Sequence, residues 1–196
     1  METQINITKQ SKNELSDEDL IKSIVKTNDT LLFEILYDRY DNVVYNKCLG
    51  FAKDVDEAKD LTQDIFLKLF VKLASFKGNS KFSTWLYAFT YNHCVNYVTR
   101  NTERKIQKES VEVSYLENLS EVENDYSFHQ MKVEKLKIAL NKVSPDDKMI
   151  LLLKYQDYLS IKEIEDVLNV GESAVKMRLK RAKERLVSVY KIVNNE

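Results

Sequence analysis

One stretch of the sequence, GESAVKMRLKRAKERL from Gly171, concentrates positive charge. Its cations are Lys176, Arg178, Lys180, Arg181, Lys183 and Arg185. Only Glu172 and Glu184 oppose them in this stretch, although the whole chain has a formal net charge of −1. Charge concentrated against the average of the chain favours an acidic binding partner.

The residues around this stretch predict a helix-turn-helix. Ser160 and Glu163 have capping-box spacing, so a first helix should begin at Ile161 and turn through NVGES into a second helix near Glu172. A buried stripe on the second helix would consist of Val175, Leu179, Ala182, Leu186 and Val189. The outward residues would then be Lys176, Met177, Lys180, Arg181 and Glu184. Such a helix fits a DNA major groove, although an ordinary solvated cationic face gives the same charge pattern.

Roles on this second helix follow from position. Lys176 and Lys180 would contact bases or phosphates, and Arg178 and Arg181 would contact the DNA backbone. Met177 would touch a thymine methyl group or would simply be exposed.

A helix predicted from Asp56 to Leu73 carries two stripes. Leu61, Ile65, Leu69 and Leu73 form the stripe suited to a core. The second stripe mixes polar and apolar side chains: Asp60, Gln63 or Asp64, Leu67 and Val71. Such a face suits a helix that binds a partner and stays soluble, but burial of both faces in a bundle fits the pattern equally well.

Aromatic residues are dense in SFKGNSKFSTWLYAFTYNHCVNYVTR. They are Phe76, Phe82, Trp85, Tyr87, Phe89, Tyr91 and Tyr97. Lys77, Lys81 and Arg100 lie among them, and aromatic rings beside cations suit unstacked bases of single-stranded DNA. Each ring taken singly is expected more often in the core.

The sequence gives no sign of an enzyme or a metal site. It has no phosphate-binding Gly loop, HExxH, CxxC or GxSxG motif, and its two histidines, His93 and His129, have no partners that spacing identifies. Cys48 and Cys94 are expected to be core residues. We therefore expect no cofactor and no catalysis.

Only three Gly and one Pro interrupt the 196 residues, which predicts an all-α fold. The polar N-terminus and the lack of a long apolar run predict a cytoplasmic protein without membrane insertion. A helix should start after Ser16, and an acidic segment without Lys or Arg from Glu109 to Asp125 predicts a flexible linker. We expect a disordered stretch at 1–15, a small helical domain at 16–101, the linker at 102–130 and a second small helical domain at 131–193.

Four segments, in order, resemble a bacterial RNA polymerase sigma factor of the extracytoplasmic-function group of the sigma-70 family. They are LYDRYDNVVY, DEAKDLTQDIFLKLF, FKGNSKFSTWLY and LSIKEIEDVLNVGESAVKMRLKRAKERL. The resemblance covers nearly the whole chain after about the first fifteen residues. It implies a promoter-specificity subunit that acts through core RNA polymerase and promoter DNA, and that an anti-sigma factor commonly holds inactive.

The resemblance also implies residue roles. The helix that contains Asp60, Gln63, Asp64 and Leu67 would dock on the clamp coiled coil of the polymerase. Recognition and melting of the minus-ten element would involve Lys77, Asn79, Ser80 and Lys81 in a loop and Trp85, Tyr87, Asn92 and Asn96 in a helix. The minus-thirty-five element would be read by Lys176, Met177, Lys180 and Arg181.

Four positions depart from the family's usual pattern, so a promoter sequence is not transferable. Ala88 replaces a commonly basic residue, Glu165 a small one, Tyr158 a frequent Gly and Ala174 a frequent Thr. A stand-alone helix-turn-helix regulator is the alternative function, and it would leave the aromatic segment without a role.

Overall fold

A computed structural model describes residues 15–109 and 131–195. Within these residues the chain forms eight α-helices and one short 3-10 turn, Leu73–Ser75, and no strand. The helices are α1 (Asp17–Thr27), α2 (Thr30–Leu49), α3 (Val55–Lys72), α4 (Phe82–Glu109), α5 (Val133–Lys142), α6 (Pro145–Tyr155), α7 (Ile161–Leu168) and α8 (Glu172–Asn195). The all-α prediction is confirmed.

The described residues divide into two compact units, and the division falls between Thr90 and Tyr91, inside α4. This helix extends to Glu109, so the prediction that residues 102–109 belong to a flexible linker is wrong. Residues 102–109 contain no Gly or Pro and consist mostly of good helix formers, which lets α4 continue. The rest of the predicted linker, 110–130, and the predicted disordered residues 1–14 lie outside the described residues. The domain bounds 16–101 and 131–193 stay predictions.

In the first unit, side-chain caps fix where α1, α2 and α3 begin. The hydroxyl of Ser16 accepts from the Asp19 amide, as the sequence predicts, and Asp29 caps α2 after Asn28 ends α1 in the left-handed region at φ 51°. Asp54 caps α3 in the same way. α3 packs against α2, and the members of its predicted apolar stripe are all buried: Leu61, Ile65, Leu69 and Leu73.

A polar cluster also ties α1 to α2. Arg39 donates to the Asp17 carboxylate at 2.8 Å and to the Leu15 carbonyl at 2.8 Å. The hydroxyl of Tyr40 donates to the other Asp17 oxygen. Burial and this bond to Asp17 raise the pKa of Tyr40 far above its ordinary value, so the phenol keeps its proton.

In the second unit, α8 is the central helix, and α5, α6 and α7 pack against it. The predicted buried stripe of α8 is confirmed at Val175, Ala182, Leu186 and Val189, whereas Leu179 is partly exposed. The capping box of Ser160 and Glu163 forms as predicted and starts α7 at Ile161. Asn169 then turns the chain towards α8 in the left-handed region at φ 50°.

Both cysteines are fully buried, as predicted for core residues. Across residues 15–109 and 131–195, no group of three or more His, Cys, Asp or Glu side chains is placed to hold a metal ion. None of the helices described there has both the length and the hydropathy of a membrane span.

Candidate protein and nucleic-acid interfaces

The second stripe of α3 faces away from the core of the first unit. Leu67 is 72% exposed and Val71, one turn further on, is 76% exposed. Asp60 and Gln63 are exposed on the same side, and Asp64 pairs with Lys68 at 2.7 Å. Burial of both α3 faces, the other interpretation of the sequence pattern, is therefore excluded among the described residues.

The α3 face continues onto α2 at a shallow cleft of about 150 Å³. Its lining consists of Tyr37, Asp41, Asn42, Tyr45, Lys59, Thr62 and Gln63. Gln63 is thus shared by the predicted face and the cleft. Sequence reasoning missed the α2 side, because helical periodicity within one helix does not say which neighbouring helix lies alongside it.

The aromatic segment forms a connected cluster at the start of α4. Phe82 is buried, and its ring meets the Phe76 ring edge to face with the centroids 5.4 Å apart. Trp85 stacks on Phe89, with the centroids 5.5 Å apart and the ring planes within 19°. Both Trp85 and Phe89 stay partly exposed, so the cluster holds an aromatic surface in place at the edge of the core.

The loop before this cluster is open to solvent. Lys77, Asn79 and Lys81 are exposed and Ser80 is partly exposed. Gly78 adopts φ 71°, a left-handed conformation that a side chain would disfavour. The loop therefore presents two cations and two hydrogen-bonding side chains beside the aromatic surface.

The predicted α4 residues divide between two faces. Asn92 and Asn96, which belong to the second unit, are four residues apart on one side of the helix, and both are exposed. Tyr87 lies elsewhere, with the Lys47 ammonium 3.9 Å from its ring centroid. Lys47 is buried, and this cation–π contact occupies a ring face that a base would otherwise need.

The predicted contact residues of α8 are all exposed: Lys176, Met177, Arg178, Lys180 and Arg181. The cations among them fall on two flanks of the helix, and Met177 lies between these flanks. We call the side with Lys176 and Lys180 the lysine flank, and the side with Arg178, Arg181 and Arg185 the arginine flank.

The lysine flank is largely neutralised by glutamates on the same helix. The Lys176 ammonium lies 2.6 Å from Glu172, and that of Lys180 lies 3.7 Å from Glu184. Hydrogen bonding with Glu172 raises the pKa of Lys176, and the same bond lowers the pKa of Glu172. Both groups are therefore charged at neutral pH.

The arginine flank borders a cleft of about 470 Å³ between α8 and the start of α6. The cleft is lined by Ser144, Asp146, Asp147, Met149, Ile150, Leu168, Arg178, Arg181 and Arg185. Arg185 is held in the cleft by two 2.6 Å hydrogen bonds to Asp147, whose side chain is nearly buried. The charge cluster in the sequence therefore contains one arginine that serves the packing of α6 on α8.

Comparison with known proteins identifies the family. Residues 36–104 match the model for sigma-70 region 2, and residues 134–186 match that for sigma-70 region 4. The RNA polymerase sigma factor YlaC of Bacillus subtilis is 31% identical over 157 residues, which cover 78% of this chain and 88% of that protein. The chain belongs to the extracytoplasmic-function group of the sigma-70 family. It is an RNA polymerase sigma factor, a transcription initiation factor.

Other relatives of this sigma factor agree. The ECF RNA polymerase sigma factor SigW of Bacillus subtilis is 29% identical over 169 residues, 83% of this chain and 90% of that protein. Both sigma-70 regions are matched, so a stand-alone helix-turn-helix regulator is not favoured.

Two solved structures share the fold. The sigma factor RpoE in complex with the anti-sigma factor NepR from Bartonella quintana matches with a TM-score of 0.59 and 22% identity, over 82% of this chain and 97% of that one. CnrH in complex with the cytosolic domain of CnrY matches with a TM-score of 0.59 and 18% identity, over 90% and 97%.

The structure explains three of the positions at which this sigma factor departs from the family's usual pattern. Glu165 is partly exposed while Ile164 beside it is fully buried, so α7 packs on α8 despite the longer side chain. Ala88 is buried, in a place that a basic side chain would have to leave. Tyr158 adopts φ 56°, the left-handed conformation that explains a Gly at this position. Nothing in the structure explains Ala174.

Proposed function

We propose that the outward face of α3 is the surface through which this sigma factor binds core RNA polymerase. Leu67 and Val71 are large apolar side chains that α3 leaves in water, and burying them against a partner is favourable by roughly 1.5–3 kcal/mol each. Asp60, Gln63 and Asp64 surround them and supply the polar rim of such an interface.

The loop of Lys77, Asn79, Ser80 and Lys81, together with α4, recognises the minus-ten element. The cations attract the backbone of a strand that is being separated, and Trp85 offers a ring already stacked on Phe89. Extruding a base costs a few kcal/mol, and contacts to a surface that needs no rearrangement offset that cost. Asn92 and Asn96 bind base edges, and Tyr87 contributes the part of its ring that Lys47 leaves exposed.

Helix α8 reads the minus-thirty-five element in the major groove. Lys176, Met177 and Lys180 approach base edges, and Arg178 and Arg181 bind backbone phosphates. The observation that carries the whole proposal is that none of the predicted contact residues on the three surfaces is buried.

This sigma factor works in the cytoplasm through polymerase and performs no chemistry of its own. We propose an anti-sigma factor as its inhibitor, by analogy with the complex of RpoE with the anti-sigma factor NepR, which shares its fold.

The proposed function is tested by transcription from a promoter library with bacterial core RNA polymerase, with and without this protein, followed by sequencing of the transcript starts. We expect initiation to depend on the protein, and the active templates to share two spaced elements. If polymerase neither binds the protein nor changes its start sites, while the free protein retains specific duplexes, the proposal is wrong.

A further inference from the structure

The first turn of α8 carries an exposed ion pair. The Glu172 carboxylate lies 2.6 Å from the Lys176 ammonium, and the two side chains are 59% and 61% exposed. In an ordinary solvated helix, such a pair stabilises only slightly. The helix dipole favours a carboxylate in this first turn, but on a helix that enters DNA the same carboxylate would repel phosphates.

Nothing described around this turn blocks the approach of a duplex. Gly171, Ser173 and Ala174 are exposed, and a Cβ placed on Gly171 would meet no atom within 4 Å. In helix-turn-helix proteins the residues at the start of the second helix contact base edges. Glu172 and Lys176 therefore lie where α8 would face the bases, if α8 enters the major groove as proposed above.

We propose that Glu172 and Lys176 together read one C·G base pair of the upstream promoter element. The carboxylate of Glu172 accepts from cytosine N4, and the ammonium of Lys176 donates to guanine O6 and N7. This inference rests on the proposed function, in which α8 binds that element.

The spacing of the two side chains fits the edge of this base pair. Cytosine N4 and guanine O6 are hydrogen-bonded to each other, so they lie about 2.9 Å apart. The carboxylate and ammonium are 2.6 Å apart in the complementary order of acceptor and donor. An A·T pair offers one acceptor on each side of its donor and places a methyl group beside thymine O4, so it gives the ammonium fewer partners.

The charges of the pair cancel, so the pair adds selectivity for a base and little attraction to phosphate. Phosphate attraction then comes from the arginine flank, where Arg178 and Arg181 border the cleft beside α6. This arrangement separates base recognition from backbone binding on the same helix.

The chain provides a matched control for the removal of the carboxylate. Lys180 and Glu184 form a second pair at the same four-residue spacing, with 3.7 Å between the charged atoms. Glu184 is twelve residues beyond Glu172, which places it about 18 Å further along the helix. Glu184→Gln removes the same charge from the same helix at a distance from the first turn.

The experiment uses the full-length chain with bacterial core RNA polymerase and a promoter library in which only the upstream element is randomised. We expect Glu172→Gln to lower the preference for C at one position by about tenfold and to favour A there, because a Gln side chain reads adenine. Glu184→Gln, which removes only the partner of Lys180 further along the helix, should leave the preference at that position unchanged. Thermal melting followed by circular dichroism checks that both variants fold equally well.

Other outcomes would overturn the inference. If Glu172→Gln strengthens transcription from all sequences equally, the carboxylate only repels phosphate. If the base preferences do not change, the pair only stabilises the helix. An Arg178→Ala/Arg181→Ala variant then distinguishes failure of the base reading by Glu172 from failure of the proposed binding of α8 to the upstream element. If this variant also leaves the dependence of transcription on the upstream element intact, the placement of α8 is wrong. If it weakens that dependence, only the reading by Glu172 fails.

Discussion

The exposed faces of α3 and α8 offer a partner different kinds of interaction. On α3 the prominent side chains are Leu67 and Val71, which gain by leaving water. On α8 they are lysines and arginines, which gain by approaching negative charge. The first interaction is short in range and insensitive to salt, whereas the second is weakened by salt. The two faces should therefore respond differently to salt.

The largest effect is expected from trimming the apolar face of α3. A Leu67→Ala/Val71→Ala variant should lose about 3 kcal/mol of binding to core polymerase, or roughly a hundredfold in affinity. The two changes remove five carbon groups at about 0.8 kcal/mol each, and about three quarters of each side chain is exposed in the free protein. Titration of labelled protein with core polymerase at several salt concentrations measures this loss, which should not depend on salt.

Leu31, which is also exposed but lies on α2, provides the control. Leu31→Ala should bind polymerase as the parent chain does. Equal affinity of the α3 double variant and the parent would remove α3 from the interface.

A smaller, salt-dependent effect is expected on the arginine flank of α8. In an Arg178→Ala/Arg181→Ala variant, the slope of log affinity for promoter DNA against log salt should fall by about 2, because each lost phosphate contact accounts for about 0.9. Binding of the polymerase complex to promoter fragments over a range of salt measures the slope. The loss should be similar for all sequences, and Lys137→Ala on α5 should have no effect. An unchanged slope would show that these arginines do not contact phosphates.

A still smaller effect should appear in the core of the second unit, where Lys148 is buried and donates to Asn141 at 2.6 Å. Burial lowers the pKa of Lys148 to about 8. The folded protein therefore releases this proton at a lower pH than the unfolded chain, so the lysine's contribution to stability rises with pH above 8. Between pH 7 and 9 the gain should be about 1 kcal/mol.

Urea denaturation followed by circular dichroism at the two pH values measures this gain. Lys148→Met should lose that part of the pH dependence, whereas Lys142→Met, at an exposed position on α5, should keep it. The comparison with the parent chain isolates Lys148 from the other groups that titrate in this range. Identical pH dependence in the parent and Lys148→Met would contradict the lowered pKa.

The features that the sequence predicted are local or periodic. The Ser160 capping box depends on residues three apart, and the core stripe of α3 depends on one face of one helix. The linker prediction places the end of α4 too early. The helix continues to Glu109 because the sequence after Asn101 contains no strong stop signal. Periodicity likewise indicated that Leu67 lies off the core stripe, but its exposure depended on whether another helix covered it.

The features that the sequence did not predict depend on distant partners. In the sequence, Arg185 is one of six cations with nothing to distinguish it. Its hydrogen-bond partner Asp147 lies 38 residues earlier, so only the fold brings the two together. The cation–π contact of Tyr87 depends on Lys47 of another helix. The glutamates of the lysine flank were visible in the sequence, but which lysine each one pairs with depends on rotamers.

The smallest effect should come from Tyr158, which is 85% exposed between α6 and α7. Its φ of 56° costs a residue with a Cβ roughly 1 kcal/mol or more, and Gly avoids this cost but has more freedom to lose on folding. Tyr158→Gly should therefore stabilise the second unit by about 0.5–1 kcal/mol in urea denaturation. Tyr158→Ala is the informative control, because it removes the ring but keeps the strain and should give no gain. Equal stabilisation by both variants would trace the cost to the exposed ring and not to the backbone.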